Sequence, residues 1–452
     1  MNEDGPTDTD GATRRRLLRH VGSTAVLASL AGCGSVDEAN ISHPSPVAPA
    51  SPLPPVAPAS SLAELDDQYG SVVDLGRVGA NTSGVSSVVS LLEEHAGDDT
   101  LLHLPKGRYL FDRMWAVDSF SNLGIHGNGA IIVPPDGYTD KPLLSLGGFG
   151  GSSDLRIDGL NFDFRDSETE PSPIFAFVED GLRVTNVHVV GTGKRVRFEV
   201  MEAGGTGRVE RLLLPDGGTD EVFDPGCFVS SHNRGELTFR DCYIARFPNN
   251  GLYASKSTGP VRVIGGTYEN NDISNVRVGR DALVKSVTVR CVSPTRTPTN
   301  MRGVWAHGPR TVIDECEVYL KDVPVSDGGM VLKDSTTVRD SDIVVDGTDA
   351  AAIHGKDPDQ SAAATAGRPT RDRSRFVGVQ IDGDASGGSG VTVINHDGCL
   401  FDDVTIRQPG RNQDGIRFHH VNDAVVRRSH IEVGGEPIVL VDSTVSTPQT
   451  DL

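Results

Sequence analysis

The sequence predicts an all-β fold built as a solenoid of stacked coils, and a recurring five-residue phrase is the main reason. GLYAS at 251 is followed by NVRVG at 275, GVWAH at 303, GMVLK at 329 and AAAIH at 350, then by GVTVI at 390, GIRFH at 415 and PIVLV at 437. The steps are 24, 28, 26, 21, 40, 25 and 22 residues. A strand phrase returning every ~20–30 residues marks stacked β-coils. Propeller blades need ~40–50 residues and four strands each, which is too long for this spacing. A sandwich would not repeat one phrase. Two further observations agree: apolar residues alternate within the phrase, and the breaks between strands carry Gly, Asn or Asp.

Residues 251–271 show one coil. Leu252 and Ala254 alternate with Tyr253, as in a half-buried strand. KSTGP is a turn by composition. Val261 and Val263 start a second strand, Gly265-Gly266 breaks it, and Thr267-Tyr268 opens a third. The same corner recurs at Gly159, Asn186, Asp241 and Asp340. These residue types tolerate left-handed backbone angles at low cost. Weaker matches at 114–119, 142–146 and 173–177 extend the pattern to roughly a dozen coils stacked ~4.8 Å apart.

Before the coils, GVSSVVSLLEEHAG (84–97) reads as a short amphipathic helix capping the open N-terminal end of the solenoid. Two inserts interrupt the rhythm, at about 192–225 and at 355–373. The second leaves the repeating strand just after His354 and accounts for the 40-residue step. Loops of this kind often wall a binding groove.

The first 33 residues read as an address. TRRRLLR (13–19) precedes an apolar run too short to span a bilayer. Arg14-Arg15 with Leu17-Leu18 resembles a twin-arginine export signal. Leu30-Ala31-Gly32-Cys33 resembles a lipobox, which implies lipidation of Cys33. Three segments follow: 1–33 signal peptide, 34–61 Pro/Ala/Ser-rich tether and 62–452 β-helix domain. The expected location is the outer face of the cell membrane, reached by the twin-arginine route and held by the lipid alone.

The stretch 69–133 resembles the entry of pectate-lyase-superfamily chains: Gly79-Ala80, a short helix, the turn Pro105-Lys106-Gly107-Arg108-Tyr109, then coils. That resemblance implies a right-handed parallel β-helix with a short N-terminal capping helix. It also implies calcium bridging acidic side chains to a uronate, although no clustered Asp motif identifies ligands and no other cofactor motif is present. It carries no catalytic residue with it.

The net charge is −20, and the basic residues are 34 Arg against only 8 Lys. This acidic, Lys-poor profile resembles proteins of salt-loving archaea and suits a surface kept soluble at high ionic strength. Beyond the export signal there is no basic stripe, which argues against nucleic acid as partner. Outside Cys33 there remain Cys227, Cys242, Cys291, Cys316 and Cys399, an odd set without a C-x-x-C pair. Cys242 and Cys316 occupy similar coil positions, so a stacked pair is one alternative and small buried hydrophobes the other.

Alignment of the phrase turns positions two and four inward and positions three and five outward. Position three then reads Tyr253, Arg277, Trp305, Val331, Ala352, Thr392, Arg417 and Val439. Position five reads Ser255, Gly279, His307, Lys333, His354, Ile394, His419 and Val441. This aromatic and basic face of an acidic chain suits an extended acidic polysaccharide, with Arg277, Trp305, Arg417 and His419 as binding residues. If the chain cleaves by β-elimination, something must neutralise the uronate carboxylate, a base must take the adjacent proton, and an acid serves the leaving oxygen. Arg277 suits the first role, His307, Lys333 or His354 the second, and Tyr253 the third. A non-catalytic glycan-binding or structural surface solenoid is the alternative.

A further alternative lies at 412–440. Asn412-Gln413-Asp414, followed one coil later by Gly435-Glu436, resembles the polygalacturonase pattern of an NTD triplet followed by GDD. Asp414 and Glu436 would form the carboxylate pair of a hydrolase. One of the paired acids is missing, and the chain stops before that family's later His and Arg-Lys motifs.

Overall fold

A computed structural model describes residues 60–138, 142–166, 171–218, 224–292, 298–358 and 373–452. The signal peptide and nearly all of the tether lie outside these residues. The described chain is a right-handed, all-β parallel solenoid of about 14 turns. Thirteen strands, from Trp115–Val117 to Ile438–Val441, stack in sequence order into one sheet. The other strands form two columns, joined where Phe120–Val133, Ser152–Asp163, Leu182–Val190 and Thr206–Leu214 bend round a corner without a break. Each coil therefore presents three faces.

The coil read from 251–271 folds as expected, with strands Leu252–Ala254, Val261–Ile264 and Thr267–Glu269. Its neighbours pair with it in parallel register. The corner residues Gly159, Asn186, Asp241, Gly265 and Asp340 all have positive φ, between 49° and 75°. A residue without a branched side chain turns that corner with little strain. The column also takes Ser286 and Glu315, where coil geometry overrides residue preference.

The interior is a continuous stack of Val, Leu, Ile and Phe that are fully buried. Phe401 lies at its C-terminal end, stacked on Phe376 at 4.4 Å and edge-on to Phe418 at 5.7 Å. All five described cysteines are free and buried. Cys242 and Cys316 do share a corner position. Backbone bonds from Asp241 through Gly265 and Ser286 to Glu315 separate them by three coil steps, about 14 Å at ~4.8 Å each. That is beyond disulfide reach.

Three expectations need correction. The cap helix spans only Val89–His95, because Ser83–Ser87 is a strand paired with Gly107–Leu110. Its own Val89 and Leu92 are buried, whereas Val85 points to solvent. The segment 192–225 is not an insert: Val196–Val200 is a regular member of the thirteen-strand sheet, paired on both sides. The repeat at 350–354 is displaced by two residues, since Ile353 and His354, not Ala351 and Ala352, pair with Met330 and Val331. A two-residue slip keeps every side chain on its face, so alternation alone does not detect it. The long excursion after His354 lies mostly in 359–372, outside the described residues, as does any wall it would build.

The described N-terminal segment is pinned onto the sheet. Ser60 donates its backbone N–H to Asp158 at 2.8 Å, and His126 Nε2 donates to the Ser60 carbonyl at 2.8 Å. A short helix, Leu62–Asp66, follows with a Ser61–Glu64 capping box.

Phe401→Ala is expected to destabilise the C-terminal coils by about 3–5 kcal/mol. Equilibrium urea unfolding, followed together with hydrogen exchange of strand Leu400–Asp402, checks this.

Candidate functional site

Parallel register assembles the outward face of the thirteen-strand sheet. Its central column runs Phe175, Arg197, Phe228, Tyr253, Arg277, Trp305, Val331, His354, Thr392, Arg417 and Val439. Tyr253, Arg277 and Trp305 are thus direct neighbours. His354 belongs to this column, between Val331 and Thr392, and not to position five. Lys356 takes position five beside Lys333: its N–H bonds the Leu332 carbonyl as that of Lys333 bonds the Ala306 carbonyl.

Position three is less open than its outward direction implies. Tyr253, Arg277 and Trp305 keep only 8%, 6% and 6% of their surface, and Val331 is fully buried. The reason is self-stacking. The Arg277 guanidinium sits 4.6 Å from the Tyr253 ring centre and 3.9 Å from that of Trp305. Arg302 lies 4.1 Å over the same Trp ring, and Lys333 Nζ is 5.4 Å from it. A desolvated cation–π contact contributes about 2 kcal/mol. The rings expected to stack on sugar are therefore already covered, while Lys333, Lys356, His307 and His354 beside them stay partly open.

The charges around this ladder converge. The His307 ring lies 5.3 Å from that of Trp305. Burial, together with the positive charges of Arg277, Lys333 and Lys256, pushes its pKa down to about 3. Asp327 supplies local negative charge: its Oδ2 accepts from Arg302 Nε at 3.0 Å, Arg302 Nη2 at 2.5 Å and Lys356 Nζ at 2.6 Å. Burial opposes ionisation of Asp327, but Arg302 and Lys356 outweigh it and hold the carboxyl well below the usual range.

His354 is set by hydrogen bonding. Its Nδ1 is 3.1 Å from the Asp327 backbone carbonyl. A carbonyl only accepts, so Nδ1 carries the proton and the neutral ring has its lone pair on Nε2. Burial lowers the His354 pKa, which favours that neutral form. His396, missed in the sequence, fixes the next residue: its Nε2 donates to the Lys356 carbonyl at 2.9 Å while Nδ1 accepts from Ser374 Oγ at 2.9 Å.

A second cluster lies upstream on the same face. Arg197 is 4.8 Å from the Phe177 ring centre and 5.7 Å from that of Phe228. Its Nε pairs with Glu199 Oε1 at 2.7 Å, and Glu199 is fully buried. Ser230 Oγ and His232 Nδ1 are 3.2 Å apart, with Glu199 Oε2 3.6 Å from the same nitrogen. The signal for this cluster was present, since VRFEV at 196–200 alternates like every other phrase. Reading the segment as an insert hid it.

The remaining candidates lie elsewhere on the face. Arg417 and His419 are two pairings beyond His354, separated from it by Thr392. Asp414 and Glu436 do fall on adjacent coils, but Asp414 Oδ1 accepts the Glu436 N–H at 3.0 Å and Oδ2 accepts from Arg417 at 2.5 Å. Asp414 thus joins the two coils structurally, and Glu436 is exposed. Among the described residues no group of three or more His, Cys, Asp or Glu is placed to hold a metal ion. The cation-rich ladder would repel one.

No protein-family model matches the chain, and no curated protein matches it. Solved structures do resemble it. The A-module of the Azotobacter vinelandii mannuronan C-5 epimerase AlgE6 matches with a TM-score of 0.44 and 14% identity, covering 84% of this chain and 99% of its own. PfbA, a surface adhesin of Streptococcus pneumoniae, matches with a TM-score of 0.43 and 13% identity over 81% and 91%. A PL6 alginate lyase in complex with a trisaccharide matches with a TM-score of 0.23 and 12% identity over 85% and 87%. The likeness is one of fold. Any functional conclusion comes from the groove's own residues.

Because its folded pKa lies below the unfolded value near 6.5, His307 lowers stability progressively as pH falls through 6.5 toward about 3. Lys256→Ala and Lys333→Ala each remove a repelling charge and are expected to raise the His307 titration midpoint. Side-chain NMR titration of the histidines reads this directly.

Proposed function

We propose that the chain binds an acidic polysaccharide along the outward face of the thirteen-strand sheet, with carboxylate or sulfate groups received around His307. One observation carries the reading: in a chain of net charge −20, Arg277, Arg302 and Lys333 gather on one sheet face around the Trp305 ring, with His307 beside it. A concentrated positive field on an otherwise acidic surface selects an anionic ligand. The long, flat register of the sheet suits an extended polymer better than a compact anion.

His354 favours a second reading, cleavage by β-elimination. With the carboxylate of a uronate neutralised by Lys333, on the coil directly before His354, its acidified neighbouring C–H gives a proton to the Nε2 lone pair of His354. The C–H electrons form a carbon–carbon double bond as the glycosidic C–O bond breaks, and the departing oxygen takes a proton from solvent water. His307, neutral at physiological pH, is the alternative base. Tyr253 suits the acid role less well than its sequence position implied, because its ring is covered by Arg277.

The address at the N-terminus adds a location to this reading: export by the twin-arginine route and acylation of Cys33 would tether the solenoid to the outer membrane face. Among the described residues no helix is long and apolar enough to cross a membrane. Cys33→Ser is then expected to move the protein from the membrane fraction to the medium, and recovery of this variant with membranes would refute the anchor.

Binding to immobilised uronate polymers is expected to weaken about tenfold in Lys333→Ala, the loss of one charge-assisted contact of about 1.5 kcal/mol. Elimination is read by ultraviolet absorbance of unsaturated sugar ends. Growth in the wild type that disappears in His354→Gln, with binding retained, supports cleavage at that residue. Retention without absorbance leaves a binding module, and new reducing ends without absorbance point to hydrolysis.

A further inference from the structure

We infer that two buried histidines form a proton-operated latch, which closes the N-terminal segment onto the solenoid at neutral pH and opens it on acidification. The latch lies on a different sheet from the groove, in a column that runs Asp74, His103, His126 and Asp158 in consecutive register. Asp158 is fully buried, and His126 and His103 keep only 1% and 8% of their surface. The proposed function uses none of them. Ser60 is held there at three points. Its N–H donates to Asp158 Oδ2 at 2.8 Å, its carbonyl accepts from His126 Nε2 at 2.8 Å, and Arg156 Nη2 lies 3.4 Å from its Oγ.

The hydrogen bonds fix where the protons sit. A carbonyl only accepts, so His126 Nε2 carries a proton and the neutral His126 ring has its lone pair on Nδ1. That nitrogen is 2.9 Å from His103 Nδ1. The ring centres are 5.0 Å apart and the planes within 22° of each other, so the two nitrogens meet edge to edge. In the neutral pair His103 Nδ1 therefore donates to His126 Nδ1. The contact has room for one further proton. With either ring charged, one Nδ1 still donates and the other still accepts, and Asp74 and Asp158 flank the charge in register. A second added proton sets N–H against N–H and two positive charges edge to edge, with Arg156 at Ser60 adding to the repulsion. The rings must then part, and His126 is drawn from the Ser60 carbonyl. Burial and the neighbouring His126 lower the His103 pKa, so the closed form takes up protons less readily than the open one. The latch is therefore fully stable above 6.5 and loses stability as pH falls below it. Burial opposes ionisation of Asp158, but hydrogen bonds from Thr185, Ser60 and Asn186 outweigh it and lower its pKa, so Asp158 stays charged while the histidines titrate. Ser60 leads into the helix Leu62–Asp66, in which Leu65 is buried. Opening frees the chain as far as Leu65 and moves the point at which it leaves the solenoid.

The test is hydrogen exchange of the purified full chain, read on peptides spanning Ser60 from about pH 8 to about pH 4 and corrected for the intrinsic pH dependence of exchange. Protection at Ser60 is expected to hold above about pH 6.5 and to fall by up to about tenfold per pH unit below it, the slope of one proton taken up on opening. Strand Ser274–Val278, far along the solenoid, is expected to stay protected throughout and reports that the fold is intact. His103→Gln places a side-chain amide beside His126 Nδ1 that can donate or accept and does not titrate. This variant is expected to keep Ser60 closed over the same range. His126→Phe removes the donor to the Ser60 carbonyl and is expected to leave Ser60 unprotected at every pH. Flat protection at Ser60 in the wild-type chain overturns the latch, as does unchanged protection in His126→Phe. Acid opening of His103→Gln with the wild-type pH dependence also overturns it, and assigns the release to Asp158 instead.

Discussion

The structure depends on in-register parallel pairing of each coil on the next. Spacing of ~4.8 Å places equivalent residues of successive coils directly over one another. Whatever one coil presents, its neighbours must tolerate at that distance. Inside, this is easily met, because apolar side chains stack without limit. Outside, a column of like charges would repel itself.

The chain meets that constraint in two ways. On the face opposite the groove, charges alternate. Lys285, Asp314 and Arg339 are consecutive in register, with Lys285 Nζ 2.7 Å and Arg339 Nε 2.8 Å from the Asp314 carboxylate. In the groove, aromatic rings separate the arginines: Arg197 lies between Phe175 and Phe228, and Arg277 between Tyr253 and Trp305. Position five departs from this, as does the run Arg156, Arg183 and Arg208 on another face. His307, Lys333 and Lys356 follow one another on consecutive coils, with Asp327 reaching in from the side to Lys356.

The groove is thus a consequence of stacking as much as of composition. Arg302 and Lys356, far apart in the chain, converge on one carboxylate because their coils flank that of Asp327. His354 obtains a defined tautomer from a backbone carbonyl in the preceding coil. His396 holds the Lys356 backbone from the coil beyond. None of these pairings is a local motif, and each needs the solenoid to exist first.

Much of the architecture was legible in the sequence alone. The repeating phrase, its inward alternation and the Gly, Asn and Asp corners determined a parallel solenoid and put Tyr253, Arg277 and Trp305 side by side. Register is carried by periodicity, and periodicity is local. Three matters were decided only by the tertiary structure. A two-residue slip at 350–354 conserves alternation, so only pairing with Met330 and Val391 places Ile353 and His354. The covering of Tyr253 and Trp305 by Arg277 comes from the coil between them, which no single-strand pattern reveals. The neutralisation of Arg197 by Glu199 lay in a strand whose repeat was obscured by flanking Gly and charge. A linear pattern specifies which way a side chain points, but the partners that meet it there are set by how the coils stack.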